Sequence, residues 1–195
     1  MTLIEEGDLW ADIRTPAVNQ GRSAVFLDRD GTLIELVDYL SDPSGVILIP
    51  ETLSEVRKAN EAGEAVVIVT NQSGIGRGHY GWDAFHEVQA RIYELLLQAG
   101  ATVDATYACP HPPSNVGGPR NSRFRKPAPG MLIRAAQDLN LDLSTSRIMG
   151  DSVSDLAAGK AAGLPTGLLV ADGYGGRDVH IATALADGAF EVILR

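Results

Sequence analysis

Short apolar runs ending in polar clusters recur along the chain, separated by longer stretches with helical spacing. Ala24–Leu27, Ala65–Val69, Thr102–Ala108, Arg147–Gly150, Thr166–Val170 and Phe190–Leu194 are the strand candidates. The most apolar of them read as strands buried on both faces of a parallel sheet. Glu51–Ala62 places Leu53, Val56 and Ala59 on one face and is closed by Gly63, a helix C-terminal signal. Trp82–Ala99 repeats Phe85, Val88, Ile92, Leu95, Leu96 and Ala99 at helical spacing and ends at Gly100. Pro127–Asn140, with Met131, Leu132, Ala135 and Leu139 on one face, Val153–Ala162 and Val179–Ala186 complete the helices. Alternating strand and helix predict an α/β class fold, a doubly wound and mostly parallel sheet. Residues 23–195 form one domain in this reading. Residues 1–22 are an N-terminal extension, part of which packs on the domain surface through Leu9, Trp10, Ile13 and Pro16.

Composition narrows the partners more than the fold. The 195 residues carry 25 acidic and 16 basic side chains, a formal net charge of −9. That disfavours nucleic acid or an anionic membrane as the main partner. A phosphate-bearing ligand then has to be held by a few placed cations and a metal. The single cysteine, Cys109, allows no internal disulfide, which fits a reducing, cytoplasmic location. No apolar run reaches membrane-spanning length, and residues 1–21 lack the basic start and apolar centre of a signal peptide.

The chemistry gathers at strand ends. Ala24–Leu27 runs directly into Asp28-Arg29-Asp30-Gly31-Thr32. In open α/β sheets ligands bind beyond the carboxyl ends of the strands, so Asp28 and Asp30 are placed at the mouth of a crevice. Paired carboxylates repel unless a cation or proton stands between them, and this arrangement asks for a metal. The second strand leads into Thr70-Asn71-Gln72-Ser73-Gly74-Ile75-Gly76-Arg77-Gly78. The fourth leads into Gly150-Asp151-Ser152-Val153-Ser154-Asp155, and Arg125-Lys126-Pro127 closes the long loop before it. Each cluster alone has a bland explanation as a turn, a helix cap or a solvated loop.

Together and in this order, the clusters resemble the four motifs of the haloacid dehalogenase (HAD) superfamily of phosphotransferases. The resemblance implies a HAD-like Rossmannoid domain without a large cap, and an enzyme that hydrolyses phosphoric monoesters with Mg²⁺. It makes Asp28 the nucleophile that becomes an aspartyl-phosphate and Asp30 the acid and base. Thr70 donates its hydroxyl to the transferring phosphoryl group, and Lys126 places a positive charge against it. Asp28, the Asp30 carbonyl and Asp151 hold the Mg²⁺. Asp155 is either a further residue that ligates or orients the metal, or an acid favoured near a helix N-terminus.

Within the superfamily, Asp28-Arg29-Asp30-Gly31-Thr32, Thr70 to Gly78, Cys109-Pro110-His111 and Arg125-Lys126-Pro127-x-Pro129-Gly130-Met131 resemble one branch. It comprises the D-glycero-D-manno-heptose 1,7-bisphosphate and histidinol-phosphate phosphatases. The resemblance implies a small phosphorylated metabolite as partner, a heptose bisphosphate first. Tyr39, Asn71, Gln72, Ser73 and Arg125 are then its binding residues. Two departures stand out. Branch members bind a structural zinc through Cys-x-His and a later Cys-x-Cys, but here Ser122 and Phe124 occupy the last two positions. Cys109 and His111 alone do not close a tetrahedral site, so no structural zinc is expected. Pro112, Pro113 and Pro119 stiffen the loop instead, and His79, His86 and His180 are packing or surface residues. Ser152 also stands where many members carry lysine, which leaves the particular phosphate ester open. A polynucleotide 3′-phosphatase shares the Asp-x-Asp-Gly-Thr start and the Thr-Asn-Gln loop, but the acidic balance and the lack of aromatic–basic interleaving argue against it. A non-catalytic module of this fold would typically have lost a leading carboxylate or the lysine. The sequence leaves oligomeric state open.

Overall fold

A computed structural model describes residues 2–17, 21–117, 122–170 and 177–194. Pro119 and the side chain of His180 lie outside the described residues. The elements run β1 (Thr2–Glu6), β2 (Leu9–Ile13), β3 (Ala24–Leu27), α1 (Pro50–Glu61), β4 (Ala65–Asn71), α2 (Ser73–Gly76), α3 (Trp82–Gln98), β5 (Ala105–Cys109), α4 (Gly130–Leu139), β6 (Arg147–Gly150), α5 (Val153–Ala162), β7 (Thr166–Leu169), α6 (Arg177–Leu185) and β8 (Glu191–Leu194).

One sheet takes them in the order β1-β2-β5-β4-β3-β6-β7-β8. From β3 the chain builds outward through β4 and β5, then crosses to the other side of β3 and builds β6, β7 and β8. All these strands are parallel. The order therefore reverses between β3 and β6, the place where an open α/β sheet forms a crevice. The Asp28 N–H bonds the Met149 carbonyl across that seam at 2.9 Å.

Alternation along the central strands divides the core. Ala24, Phe26, Val67 and Val69 face Met131, Leu132, Ala135 and Leu156 from α4 and α5. Val25, Leu27, Val66 and Ile68 face Val56, Ala59, Val88 and Ile92 from α1 and α3. With both faces covered, the strands read as unbroken apolar runs. This is the doubly wound, mostly parallel sheet expected, and among the described residues no helix is long and apolar enough to cross a membrane.

The differences from the sequence reading are local. Residues 2–13 are a hairpin, β1 antiparallel to β2 and β2 antiparallel to β5, so this segment extends the sheet. Leu9 and Trp10 are buried there. β5 starts at Ala105 rather than Thr102; just before it the Asp104 side chain takes the place of a backbone acceptor, its carboxylate accepting from the Val66 N–H at 2.9 Å and pairing with Arg22 at 2.5 Å. α4 begins at Gly130, not Pro127. The Gly130 N–H meets the Arg123 carbonyl at 2.9 Å, and a Cβ there would sit 2.2 Å from that oxygen.

Candidate active site

Three strand ends and one loop converge. Asp28 follows β3, Thr70 lies near the end of β4, Asp151 follows β6, and Lys126 reaches in from the loop before α4. Lys126 is buried, and its Nζ contacts Asp28 Oδ1 at 2.9 Å, Asp155 Oδ1 at 2.5 Å and the Val69 carbonyl at 2.7 Å. Burial alone would lower the Lys126 pKa, but the Asp155 and Asp28 carboxylates outweigh it and hold the ammonium well above its ordinary range.

Asp28 Oδ1 also accepts from the Arg29 N–H at 2.7 Å. Oδ2 accepts no hydrogen bond from the described residues. The two oxygens are thus distinguished, one fixed by a cation and an amide, the other free to react. Burial, then the nearby Asp155, pushes the Asp28 carboxyl up to about 8. Burial and Asp155 likewise push Asp151 up to about 7.

Asp155 sits at the start of α5 in a capping box: its Oδ2 accepts from the Ser152 N–H at 3.1 Å while Ser152 Oγ accepts from the Ser154 N–H. With Oδ1 against Lys126, both oxygens of Asp155 are engaged. The structure places it as the lysine's second counter-ion and the helix cap at once.

A metal fits what remains. Carboxylate oxygens of Asp28, Asp151 and Asp155 lie within 4.8 Å of one another, and Asp151 Oδ2 is buried without a hydrogen-bond partner. Three carboxylates against one ammonium leave a formal surplus of two negative charges, which a hard divalent cation cancels. Gly31 keeps Asp151 close: its φ is +82°, and a Cβ would lie 2.2 Å from Asp151 Oδ2.

Asp30 is kept apart from this cluster by its own partners. Arg29 is buried yet forks onto Asp30 through Nε and Nη2, both at 3.0 Å. Gln72 Nε2 donates to Asp30 Oδ2 at 2.8 Å and to Thr70 Oγ1 at 2.7 Å, and Gln72 Oε1 accepts from Arg29 and from Tyr80. Since Thr70 Oγ1 accepts from Gln72, its own proton is available to another acceptor. Arg29 and Tyr80 had no assigned role from sequence, because nothing local shows that an arginine between two aspartates turns inward.

The candidate binding residues divide. Tyr39, Asn71, Gln72 and Ser73 line a cleft over Asp30 together with Leu36, Asp38, Gly74 and Tyr80. The Asn71 amide is nevertheless engaged at both ends with the Lys126 backbone, at 3.0 and 3.1 Å, and the Gln72 side chain is buried. Tyr39 and Ser73 are the ones open to the cleft. Tyr39 packs against His79 with ring centroids 4.1 Å apart and the rings tilted by 32°. Arg125 donates to the His111 carbonyl at 2.7 Å, and burial lowers its pKa. At the four loop positions weighed above for a zinc site, Cys109 Sγ lies 3.7 Å from Ser122 Oγ, His111 Nε2 lies 2.7 Å from Asp8 Oδ1, and Phe124 is buried in the core.

A family model described as HAD-hydrolase-like matches residues 123–189, the part that carries Lys126, Asp151 and Asp155. A D-glycero-beta-D-manno-heptose-1,7-bisphosphate 7-phosphatase from Mesorhizobium japonicum is 49% identical over 149 residues, 75% of this chain and 69% of the relative. A D-glycero-alpha-D-manno-heptose-1,7-bisphosphate 7-phosphatase from Burkholderia mallei is 37% identical over 172 residues, 87% of this chain and 91% of the relative. The chain belongs to the HAD superfamily of phosphatases. Solved structures agree with that membership. A HAD-like phosphatase from Mesorhizobium loti superposes with a TM-score of 0.84 at 39% identity, covering 98% of this chain and 89% of that one. A D,D-heptose 1,7-bisphosphate phosphatase from B. bronchiseptica, complexed with magnesium and phosphate, superposes with a TM-score of 0.75 at 30% identity, covering 87% and 91%. As a HAD phosphatase this chain is a phosphoric monoester hydrolase, and the clustered strand-end residues are its candidate machinery.

Proposed function

We propose that this phosphatase hydrolyses D-glycero-D-manno-heptose 1,7-bisphosphate with Mg²⁺, through an aspartyl-phosphate on Asp28. The observation that carries the mechanism is the division of labour between the Asp28 oxygens: Oδ1 is held by Lys126 and the Arg29 amide, and Oδ2 has no hydrogen-bond donor among the described residues. In the first step Oδ2 attacks phosphorus, the P–O bond to the sugar breaks, and Asp30 gives its proton to the departing alkoxide. In the second, water attacks the acyl-phosphate, Asp30 takes back a proton, and inorganic phosphate leaves with the Asp28 carboxylate restored. Lys126 and the Thr70 hydroxyl face the charge that spreads over the phosphoryl oxygens. Asp28, Asp151 and the Asp30 carbonyl would hold Mg²⁺. Bound there, the metal neutralises the phosphoryl charge that an acidic protein would otherwise repel.

The substrate is inferred from the relatives' activities and from the cleft. The relatives named above are 7-phosphatases of a heptose 1,7-bisphosphate. The cleft over Asp30 is lined by loops, with Tyr39 and Ser73 at its open side, and admits a small polar ester. The loop after β5 is further read as zinc-independent, since its four positions pair with one another, with Asp8 or with the core. The test is a panel of phosphorylated sugars, including heptose 1,7-bisphosphate, together with histidinol phosphate, assayed with Mg²⁺ and with chelator. The Asp28→Asn variant should be folded and inactive. A variant that still turned over, or a preference for histidinol phosphate, would overturn the mechanism or the substrate respectively.

A further inference from the structure

Phe85 of α3 is fully buried between Trp10 of β2 and Trp82, the residue that opens α3. Both contacts are edge-on, with ring centroids 5.0 and 5.4 Å apart and planes at 82° and 86°. Such contacts fix the tilt of a ring as well as its place. Here they come from two different elements, the N-terminal hairpin and the start of a helix.

That ring meets a cation. Arg29 Cζ lies 5.3 Å over its centroid. The guanidinium is 1% exposed, and one edge of it is committed: Nε and Nη2 fork onto Asp30, and Nη2 also reaches Gln72 Oε1. Nη1 is buried with no hydrogen-bond partner among the described residues. A buried cation with unanswered N–H groups is costly unless something else meets its charge. The π face of an aromatic ring does so, and more strongly where water is excluded. Arginine suits both partners, since its planar head offers an edge to a carboxylate and a face to a ring. Tyr80 packs against the same aromatic cluster, and its hydroxyl donates to Gln72 Oε1. The cluster thus meets the Asp30 network at two points.

We infer that Phe85 is a positioning residue for the reaction, its π face holding the Arg29 guanidinium in the pose that aims Asp30. The inference rests on the reading of Asp30 as the general acid. Trp10 sets the tilt of the ring, so the hairpin of residues 2–13 becomes part of the active site's support. A phenylalanine that only filled the core would answer to volume. One that holds a cation answers to the electron density of its ring.

The test places mono-, di- and trifluorinated phenylalanine at position 85 of the full chain. Fluorine withdraws electron density from the ring face and hardly changes its volume. Turnover of heptose 1,7-bisphosphate should fall stepwise, about tenfold across the series. Turnover of p-nitrophenyl phosphate should fall several-fold less, because its leaving group departs without a proton. Solvent exchange of the Arg29 guanidinium protons, followed by NMR, should speed up in the same order. Phe85→Leu, which removes the ring altogether, should lose at least as much as the end of the series. Val88→Ala, on the same helix but packed in the core beneath β3 and β4, should lower the melting temperature and leave the ratio of the two esters unchanged. Asp30→Asn is the reference. Equal losses on both esters there would overturn the reading of Asp30 as the acid, while faster exchange across the series would still show the ring holding the cation. With Asp30→Asn selective between the esters, a flat fluorine series in turnover or in exchange would overturn the inference. So would a Val88→Ala ratio shifted as far as that of Phe85→Leu.

Discussion

Asn71 holds the backbone of Lys126 from both sides, its Oδ1 accepting from the Lys126 N–H at 3.0 Å and its Nδ2 donating to the Lys126 carbonyl at 3.1 Å. This clamp fixes where a loop lysine enters a site otherwise built from strand ends. Asn71→Leu keeps the volume and removes both bonds, each worth about 1 kcal/mol. Lys126 Nζ would then drift from Asp28 and Asp155. The expected outcome is kcat lowered roughly 10- to 100-fold with KM changed much less, since a misplaced cation costs most where charge develops. Steady-state kinetics on the preferred ester checks this, and an unchanged kcat would show that the clamp does not position the lysine.

Gly31 is the second point where backbone controls the site. Its φ of +82° costs a residue with a side chain about 1–2 kcal/mol. The new Cβ of Gly31→Ala would also meet Asp151 Oδ2 at 2.2 Å. The Asp151 carboxylate must rotate away, so the variant should need about tenfold more Mg²⁺ for half-maximal activity. A Mg²⁺ titration of turnover, run beside the melting temperature in chelator, separates lost metal affinity from lost fold stability.

Much of this was legible in the sequence, for a physical reason. Asp28, Thr70 and Asp151 lie at the ends of strands buried on both faces, so apolar runs announce where each polar residue emerges. What was not legible depends on partners remote in sequence. Asn71 meets Lys126 across 55 positions, and Gln72 meets Asp30 across 42. Both read as residues facing a ligand until the fold brings their partners to them. The β1–β2 hairpin was hidden differently. Glu5, Glu6 and Asp12 interrupt its apolar pattern, although Gly7-Asp8 between two short runs is a two-residue hairpin signal. Trp10 and His86 read as packing residues, and the tertiary structure brings their rings together with centroids 5.3 Å apart.

The carboxylate cluster makes stability depend on pH and metal together. Asp28 and Asp151 stand at about 8 and about 7 in the folded chain, raised first by burial and then by Asp155, against an ordinary value of 3.8. Below the ordinary value both states are protonated and the shift costs nothing. Between it and the raised values, the folded chain holds protons the unfolded chain has released, so stability falls as pH rises through that window. A divalent cation replaces those protons, and its binding strengthens over the same range. In chelator, the melting temperature should therefore fall from about pH 5 to about pH 8, and the increase caused by Mg²⁺ should grow. Differential scanning calorimetry at several pH values checks both trends. Asp151→Asn should flatten the two together.

Asp30 depends on Arg29 and Gln72, whose donors aim its carboxylate at the cleft. Gln72→Leu removes one donor to Asp30 and one to Thr70 while leaving the Arg29 fork in place. Arg29→Met removes the fork and should also destabilise the fold, because it takes a buried cation from its carboxylate partner. The Asp30 side chain is 22% exposed, so that loss is about 1–3 kcal/mol, less than for a fully buried pair. If these residues orient a proton donor, the damage should depend on the leaving group. A sugar alkoxide needs the proton as the P–O bond breaks, whereas p-nitrophenolate leaves without one. Gln72→Leu should therefore cut turnover of the sugar phosphate about 10- to 100-fold and that of p-nitrophenyl phosphate several-fold less. Equal losses on the two esters would instead assign Gln72 to holding Thr70, and through it the phosphoryl group common to both.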